Sequence, residues 1–341
     1  MPLEQVINEL LSSACPSIQY RARRELLDEP IDSQPMRAIQ RDILQDELVK
    51  AILESQSADG WIGRRFHGYD SHEAGIRLLS EKGLNRDHPA LVRALEALDR
   101  MKPRINAEMG VVGRTLDESG LGGTETIRAA IMAYAGEETH PLVHAQQGLA
   151  LDAFRAVLEI DSIDEITETY KDKLVFKEGV IWPGIYHPRL LAFTQAWRSP
   201  QALRMLVESV ARLAQLSPIP YIHLRYKSHW MAPAGFGMQS FTAPDLSLLK
   251  PNEWMIWFQR MELLARSGVV KAVPELRQQI SDLGAILEAG GGWFAIPMTH
   301  EYFRRWGAYT GLMLERDWKL PRRRMYDLTF RSLLIRRYTG L

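Results

Sequence analysis

The sequence predicts an all-α chain, folded as a ring of about six helical hairpins. Three observations lead there. Apolar residues recur at helical spacing through most of the 341 residues, and sustained period-two alternation rich in Val, Ile and Thr is almost absent. Gly/Trp corners recur between the helical stretches, at Gln56-Ser57-Ala58-Asp59-Gly60-Trp61, Gly179-Val180-Ile181-Trp182 and Gly290-Gly291-Gly292-Trp293. An aromatic residue returning at helix-to-helix corners staples the layers of a closed ring, whose hollow centre is the place for binding or chemistry. The three tryptophans lie 121 and 111 residues apart, each about twice a hairpin-plus-corner unit of roughly 50 to 60 residues.

In chain order, an amphipathic stripe covers Met36 to Leu53, the Trp61 corner follows, and a second stripe runs from Glu73 to Glu81. After the Lys82-Gly83 turn, the steps of one and three residues between Ala90, Leu91, Ala94, Leu95 and Leu98 mark a helix over Asp87 to Met101. Glycine-rich Gly110 to Gly123 is an intermediate corner before helices at Thr124 to Tyr134 and Val143 to Leu158, and Asp161-Ser162-Ile163-Asp164 begins a solvated helix. Beyond Trp182 come Arg189 to Trp197 and Ala202 to Gln215. Ser217 to Pro251 carries five prolines and many aromatics, so it reads as a structured insertion at about 217–251 over one mouth of the ring. Glu253 to Arg266, Pro274 to Leu287 and Arg304 to Leu314 resume the stripes, and a last helix turns Leu328, Leu333 and Leu334 inward, with Lys319 to Arg324, Arg331, Arg336 and Arg337 on a solvated face. Proline at or near the first turn, as in Asp87-His88-Pro89, Thr139-His140-Pro141, Ser199-Pro200 and Val273-Pro274, starts the second helix of a hairpin where its missing N–H costs nothing. The whole, residues 1–341, is read as a single domain.

Lys+Arg and Asp+Glu both total 42, so no net field favours nucleic acid or an anionic membrane, and neither is an expected partner. Cys15, the single cysteine, has no partner for an internal disulfide and no companions for a thiolate zinc site, which fits a reducing compartment. Met1-Pro2-Leu3-Glu4 lacks the basic and apolar blocks of a signal peptide. No apolar run approaches the roughly 18 residues of a membrane helix, and the expected location is cytoplasmic. Walker, dinucleotide, HExxH and serine-nucleophile patterns do not occur. His67 and His72, five apart, do not share a helix face as i,i+4 ligands do, so neither metal nor cofactor is expected.

The chain resembles the α/α-toroid superfamily of terpenoid cyclases and protein prenyltransferase β subunits, notably the repeats of squalene cyclases. The resemblance rests on Leu53 to Met101, where a QxxDGW corner precedes a helix, a glycine turn and a proline-started helix. It rests also on Leu287 to Ile335, where Leu287-Glu288-Ala289 with Gly292-Trp293 mirrors Leu53-Glu54-Ser55 with Gly60-Trp61. It implies an α/α toroid with a central aromatic-lined cavity for an apolar isoprenoid-type ligand. The family's chemistry is not matched: there is no DxDD acid motif, no Asp/Cys/His zinc set and no DDxxD cluster, and Gly60 abuts Trp61 where the family spaces them.

Three constellations carry chemistry. In Arg64 to Glu73, the imidazole of His67, the phenol of Tyr69 and the carboxylate of Asp70 make an acid/base pair or grip a polar ligand. The structural alternative has Asp70 or Ser71 capping the next helix, with His72 and Glu73 in solvent. In Arg114 to Glu125 the glycines cradle an anion or present Asp117 and Glu118 as acids; the alternative is a mobile surface loop with Thr124 as N-cap. The aromatic corners supply Trp182, Tyr186 and His187, then Tyr221, His223 and Arg225 at alternating positions of an extended segment, with Tyr226, His229 and Trp230 beyond. They read as a ligand-binding surface or as packing. Three functions follow: a cyclase-like enzyme on an isoprenoid, with Asp70, Asp117 or Glu118 in place of the missing acid; a non-catalytic toroid binding a small apolar molecule, a peptide or a protein partner; and a carbohydrate-active α/α barrel with paired carboxylates.

Overall fold

The computed structural model describes residues 3–233 and 235–340; Met1, Pro2, Ala234 and Leu341 of the expected 1–341 domain lie outside the described residues. Helices dominate, with 14 α-helices and four short strands among the described residues. The chain divides into two compact units, one made of Met1–Lys102, Asp245–Glu262 and Ile280–Leu341, the other of Pro103–Pro244 and Leu263–Gln279.

The first unit begins with α1 (Leu3–Ser13), α2 (Pro16–Leu26), α3 (Gln34–Ile43), α4 (Glu47–Glu54), α5 (His72–Glu81) and α6 (Pro89–Arg100). Successive helices pack as neighbours, α1 on α2, α2 on α3, α4 on α5 and α5 on α6. Their starts are chemically marked: Ser33 accepts from the Met36 N–H, Asp46 from Leu48 and Val49, Ser71 from Ala74, and the His88 ring from Ala90 ahead of Pro89. No periodicity announces α2, because its buried face carries Ser17, Arg21 and Glu25 among the apolar residues.

The second unit contains most of α7 (Lys102–Glu118), broken at Gly110 with φ 56°, then α8 (Thr124–Tyr134) and α9 (Pro141–Ala156). The expected solvated helix at Asp161 is a single 3-10 turn, Ile163–Glu165, closed by a capping box between Ser162 and Glu165. Next come β1 (Thr167–Tyr170), β2 (Lys173–Phe176), α10 (Tyr186–Ala192), α11 (Pro200–Leu216), β3 (His223–Tyr226) and β4 (His229–Met231). α8, α9 and α10 pack on one another, and α11 packs on α9. The strands form one sheet in the order β1-β2-β3-β4, antiparallel except for the β2–β3 pair. An all-α reading is therefore coarse: the strands are three or four residues long, too short for alternation to register. The expected insertion at 217–251 holds β3, β4 and a 3-10 turn at Leu246–Leu248.

The chain ends with α12 (Pro251–Arg266), α13 (Pro274–Ala289) and α14 (Pro321–Thr339). In the first unit, Trp254, Trp257 and Phe258 of α12 meet Phe294 in a buried ring cluster with centroids 5.1 to 5.5 Å apart, and α14 packs against α2. Arg304 to Leu314 is not an α-helix. Gly311 takes φ +91° with the Trp306 indole against it, a conformation that ends a helical stripe whatever its apolar spacing. Arg331, expected on a solvated face, is 1% exposed.

The three Gly/Trp corners are not copies of one another. Trp61 stacks on His72 with centroids 4.3 Å apart and planes at 8°, Trp182 leans on Phe176 of β2, and Trp293 leans on Tyr326 of α14. At the first corner every motif residue has a task. Gln56 donates to the Gly60 and Ala90 carbonyls, Asp59 accepts the Trp61 N–H, and Gly60, at φ +85°, lies where a Cβ would stand 2.4 Å from the Arg93 carbonyl.

Candidate functional site

The loop before α5 is tied into a narrow hairpin by backbone bonds from Arg64 to Asp70, His72 to Arg65 and Glu73 to Phe66. Ser71, not Asp70, caps the helix; Asp70 is exposed at φ 50° and 3.5 Å from the Arg64 guanidinium. His72 and Glu73, placed in solvent by the structural alternative, are 0% and 2% exposed. His72 accepts the Ile62 N–H at Nδ1 and donates from Nε2 to the Ala94 carbonyl, so one neutral tautomer satisfies both nitrogens. The acid/base pair of this loop is His67 with Glu73, 2.6 Å apart, and Tyr69 rests exposed against Gly307.

In the second unit, Asp117 acts at a distance on α8: its Oδ2 accepts the Glu125 N–H at 3.0 Å, and its Oδ1 is buried without a hydrogen bond. Burial raises its pKa, and the backbone N–H groups of Glu125 and Thr126 partly offset the rise. Glu118 is exposed. Tyr186 and His187 are buried in α10, and His187 accepts the Gly184 N–H at Nδ1, 2.8 Å away. Burial pushes its pKa down to about 4, which keeps the ring neutral. Trp182 and Tyr221 face a slot with about 20 Å³ of water-accessible space, room for about one water. His223, Arg225 and Trp230 share one face of the sheet, whereas Tyr226 stands on the other, because residues paired or two apart across strands point the same way.

A roomier site lies in the first unit: a cleft of about 600 Å³ between α4, the end of α5 and the 301–316 segment. Its floor is Lys82, which follows α5 and is 1% exposed, donating to the Leu314 carbonyl at 2.6 Å and standing 3.4 Å from Asp46. Arg316 bridges Asp46 and Glu47 at 3.9 Å each, and Glu301 pairs with Arg305 at 2.8 Å. Arg304 has no side-chain partner among the described residues and faces solvent. Leu48, Ala51 and Met313 give an apolar wall.

Glu315 completes the wall. It is 1% exposed, accepts the Cys15 N–H at 2.8 Å and lies 3.3 Å from Arg323. Burial raises its pKa to about 7, helped by nearby Asp327 and opposed by the Cys15 N–H and Arg323. Asp327 is itself raised by burial, although Oδ2 accepts from the Leu314 and Glu315 amides and the Trp318 indole. The same environment pushes the Cys15 thiol up, so it is an inert neighbour at neutral pH.

Behind this cleft a buried ion network joins four helices. Arg21 contacts Glu25, Glu81 and Glu262 at 2.7, 2.7 and 3.3 Å, and Arg331 contacts Glu81 and Glu262 at 2.5 and 2.9 Å. Sequence reasoning singled out none of Lys82, Glu315 or this network. Each is a lone charge in an ordinary helical or turn context, and only burial sets it apart. Among the described residues no group of three or more His, Cys, Asp and Glu is placed to hold a metal ion, and no helix is long and apolar enough to cross a membrane. Comparison with family models, curated proteins and solved structures found no match to this chain.

Proposed function

We propose that the chain binds a small anionic molecule, phosphate- or carboxylate-bearing, in the cleft of the first unit, with Glu315 exchanging a proton as the ligand enters. The observation that carries this reading is Glu315: a carboxyl on the cleft wall, held by burial near the pH at which it can either keep or release its proton. The cleft's carboxylates and cations otherwise pair among themselves, so protonating Glu315 leaves Arg304 as its spare charge. A phosphorylated isoprenoid suits the cleft better than a neutral one, since Arg304 and Arg316 would meet its head and Leu48, Ala51 and Met313 its first carbons. The α/α-toroid arrangement belongs to the same proposal. It is supported by the packing of α14 on α2, which ring closure requires of the first unit, and weakened by the unlike surroundings of the three tryptophans.

Isothermal titration with inorganic pyrophosphate, farnesyl diphosphate and farnesol tests the reading. Both diphosphates should bind and farnesol should not, and Arg304→Ala with Arg316→Ala should weaken binding about tenfold. Affinity for pyrophosphate should rise from pH 8 to pH 6 more steeply in the wild type than in Glu315→Gln. Equal binding by the arginine variants, or tight binding of farnesol alone, sinks the proposal.

A further inference from the structure

The four-stranded sheet of the second unit is unevenly covered: one face is buried at its centre and exposed at Thr169 and His229, and the other carries exposed rings and cations around the buried Val175. Leu224, Phe176 and Thr167 are buried on one side. On the opposite side the strand register places Tyr170 and Lys173 as a cross-strand pair, Arg225 and Trp230 as another, and His223 beside Val175, which is fully buried beneath them. Trp230 is 43% exposed and Tyr221 45%. Large rings half in water are costly to leave uncovered and useful for stacking.

The rings and the cations interleave. Tyr221, His223 and Trp230 form an edge-to-face run with centroids 5.1 and 4.8 Å apart. The Lys173 ammonium lies 5.5 Å from the Trp230 ring, and the Arg225 guanidinium 4.2 Å from Tyr170. The His223 Nδ1 is buried against these neighbours with no hydrogen-bond partner. Two carboxylates touch the array, Glu168 at 3.7 Å from Arg225 and Asp172 at 3.5 Å from Lys173, both too far for a strong bond. Four strands at about 4.8 Å spacing make a platform roughly 14 Å across, the span of two or three stacked bases.

From this we infer that the Trp230 face of the sheet is a binding platform for single-stranded nucleic acid, with bases stacked on Trp230 and Tyr221 and the phosphates met by Lys173 and Arg225. Aromatic faces accept any base, and flanking cations track the backbone without reading sequence. An uncharged glycan would use the rings but leave the cations idle, and an acidic peptide would use the cations but leave the rings idle. The balanced total charge of the chain does not bear on this local array, because charges beyond about 8 Å are screened at physiological salt.

Fluorescence anisotropy of labelled oligouridylate and oligothymidylate of about 12 nucleotides decides the matter. The wild type should bind with a dissociation constant of about 1–100 µM, weakening as salt rises. Trp230→Ala should weaken binding about tenfold or more, and Arg225→Ala should weaken it and reduce the salt slope by about one. Both positions reach solvent, so the variants should keep the wild-type circular dichroism spectrum. The inference is overturned if neither oligomer binds at low salt, or if binding survives Trp230→Ala unchanged. It is also overturned if a heparin fragment displaces the oligomers with no dependence on Trp230, which would mark a simple cation patch.

Discussion

Glu315 couples the cleft to the stability of the first unit, and the sign of the coupling follows from its shift. An ordinary glutamate loses its proton near pH 4.3, whereas in the fold this one holds it to about 7. Between those values the native state binds more protons than the unfolded chain, so the contribution is present in full below about pH 4.5 and is lost as pH rises through about 7. His187 works the other way: its lowered value means that stability falls as pH drops from about 6.5 towards 4. A single stability curve would blend the two, and the comparison needed is wild type against Glu315→Gln. The variant should gain on the wild type by up to about 3 kcal/mol between pH 5 and pH 8 in urea denaturation. An unchanged difference would mean that Glu315 is ionised throughout. No pattern in the sequence distinguishes Glu315 from the exposed charges beside it, since its character comes from burial and from Asp327, both brought about by folding.

At the scale of elements, the sequence was most legible where a local rule decides the outcome. Pro89, Pro141 and Pro200 start helices as their position requires, and the QxxDGW corner is a built turn in which Trp61 covers the first residue of α5. Trp61 is 2% exposed, so Trp61→Ala should cost about 3–5 kcal/mol. A loss under about 1 kcal/mol in urea unfolding would show that the corner is no staple. Legibility failed where tertiary contacts outvote periodicity. The stripe at Arg304 to Leu314 yields to the Gly311 bend, the sheet is assembled from strands too short to read alone, and α2 hides its core face behind charged residues. Among site residues the same division holds. His223 and Arg225 share a face by simple alternation, whereas Trp230 joins them only through the β3–β4 pairing, and the partner of His67 is Glu73, across a hairpin that spacing alone does not reveal.

Over the whole molecule, the feature with the widest reach is the ion network of the first unit, which draws Arg21, Glu81, Glu262 and Arg331 from four distant parts of the chain. Arg331→Met would leave Glu81 and Glu262 to share Arg21, with buried negative charge in excess, and breaking such a network should cost about 3–5 kcal/mol, measured by chemical denaturation. Replacing Arg331 and both glutamates together by apolar residues should recover much of that loss. The network also sets a timetable during synthesis. Glu81 and Arg331 are 250 residues apart, which at about 5–20 residues per second is roughly 12 to 50 s on the ribosome. For that interval Glu81 is in place but lacks its last counter-ion, and the contiguous stretch from 103 to 244 is synthesised within it. The nascent amino-terminal helices are therefore the portion that a holding chaperone would meet.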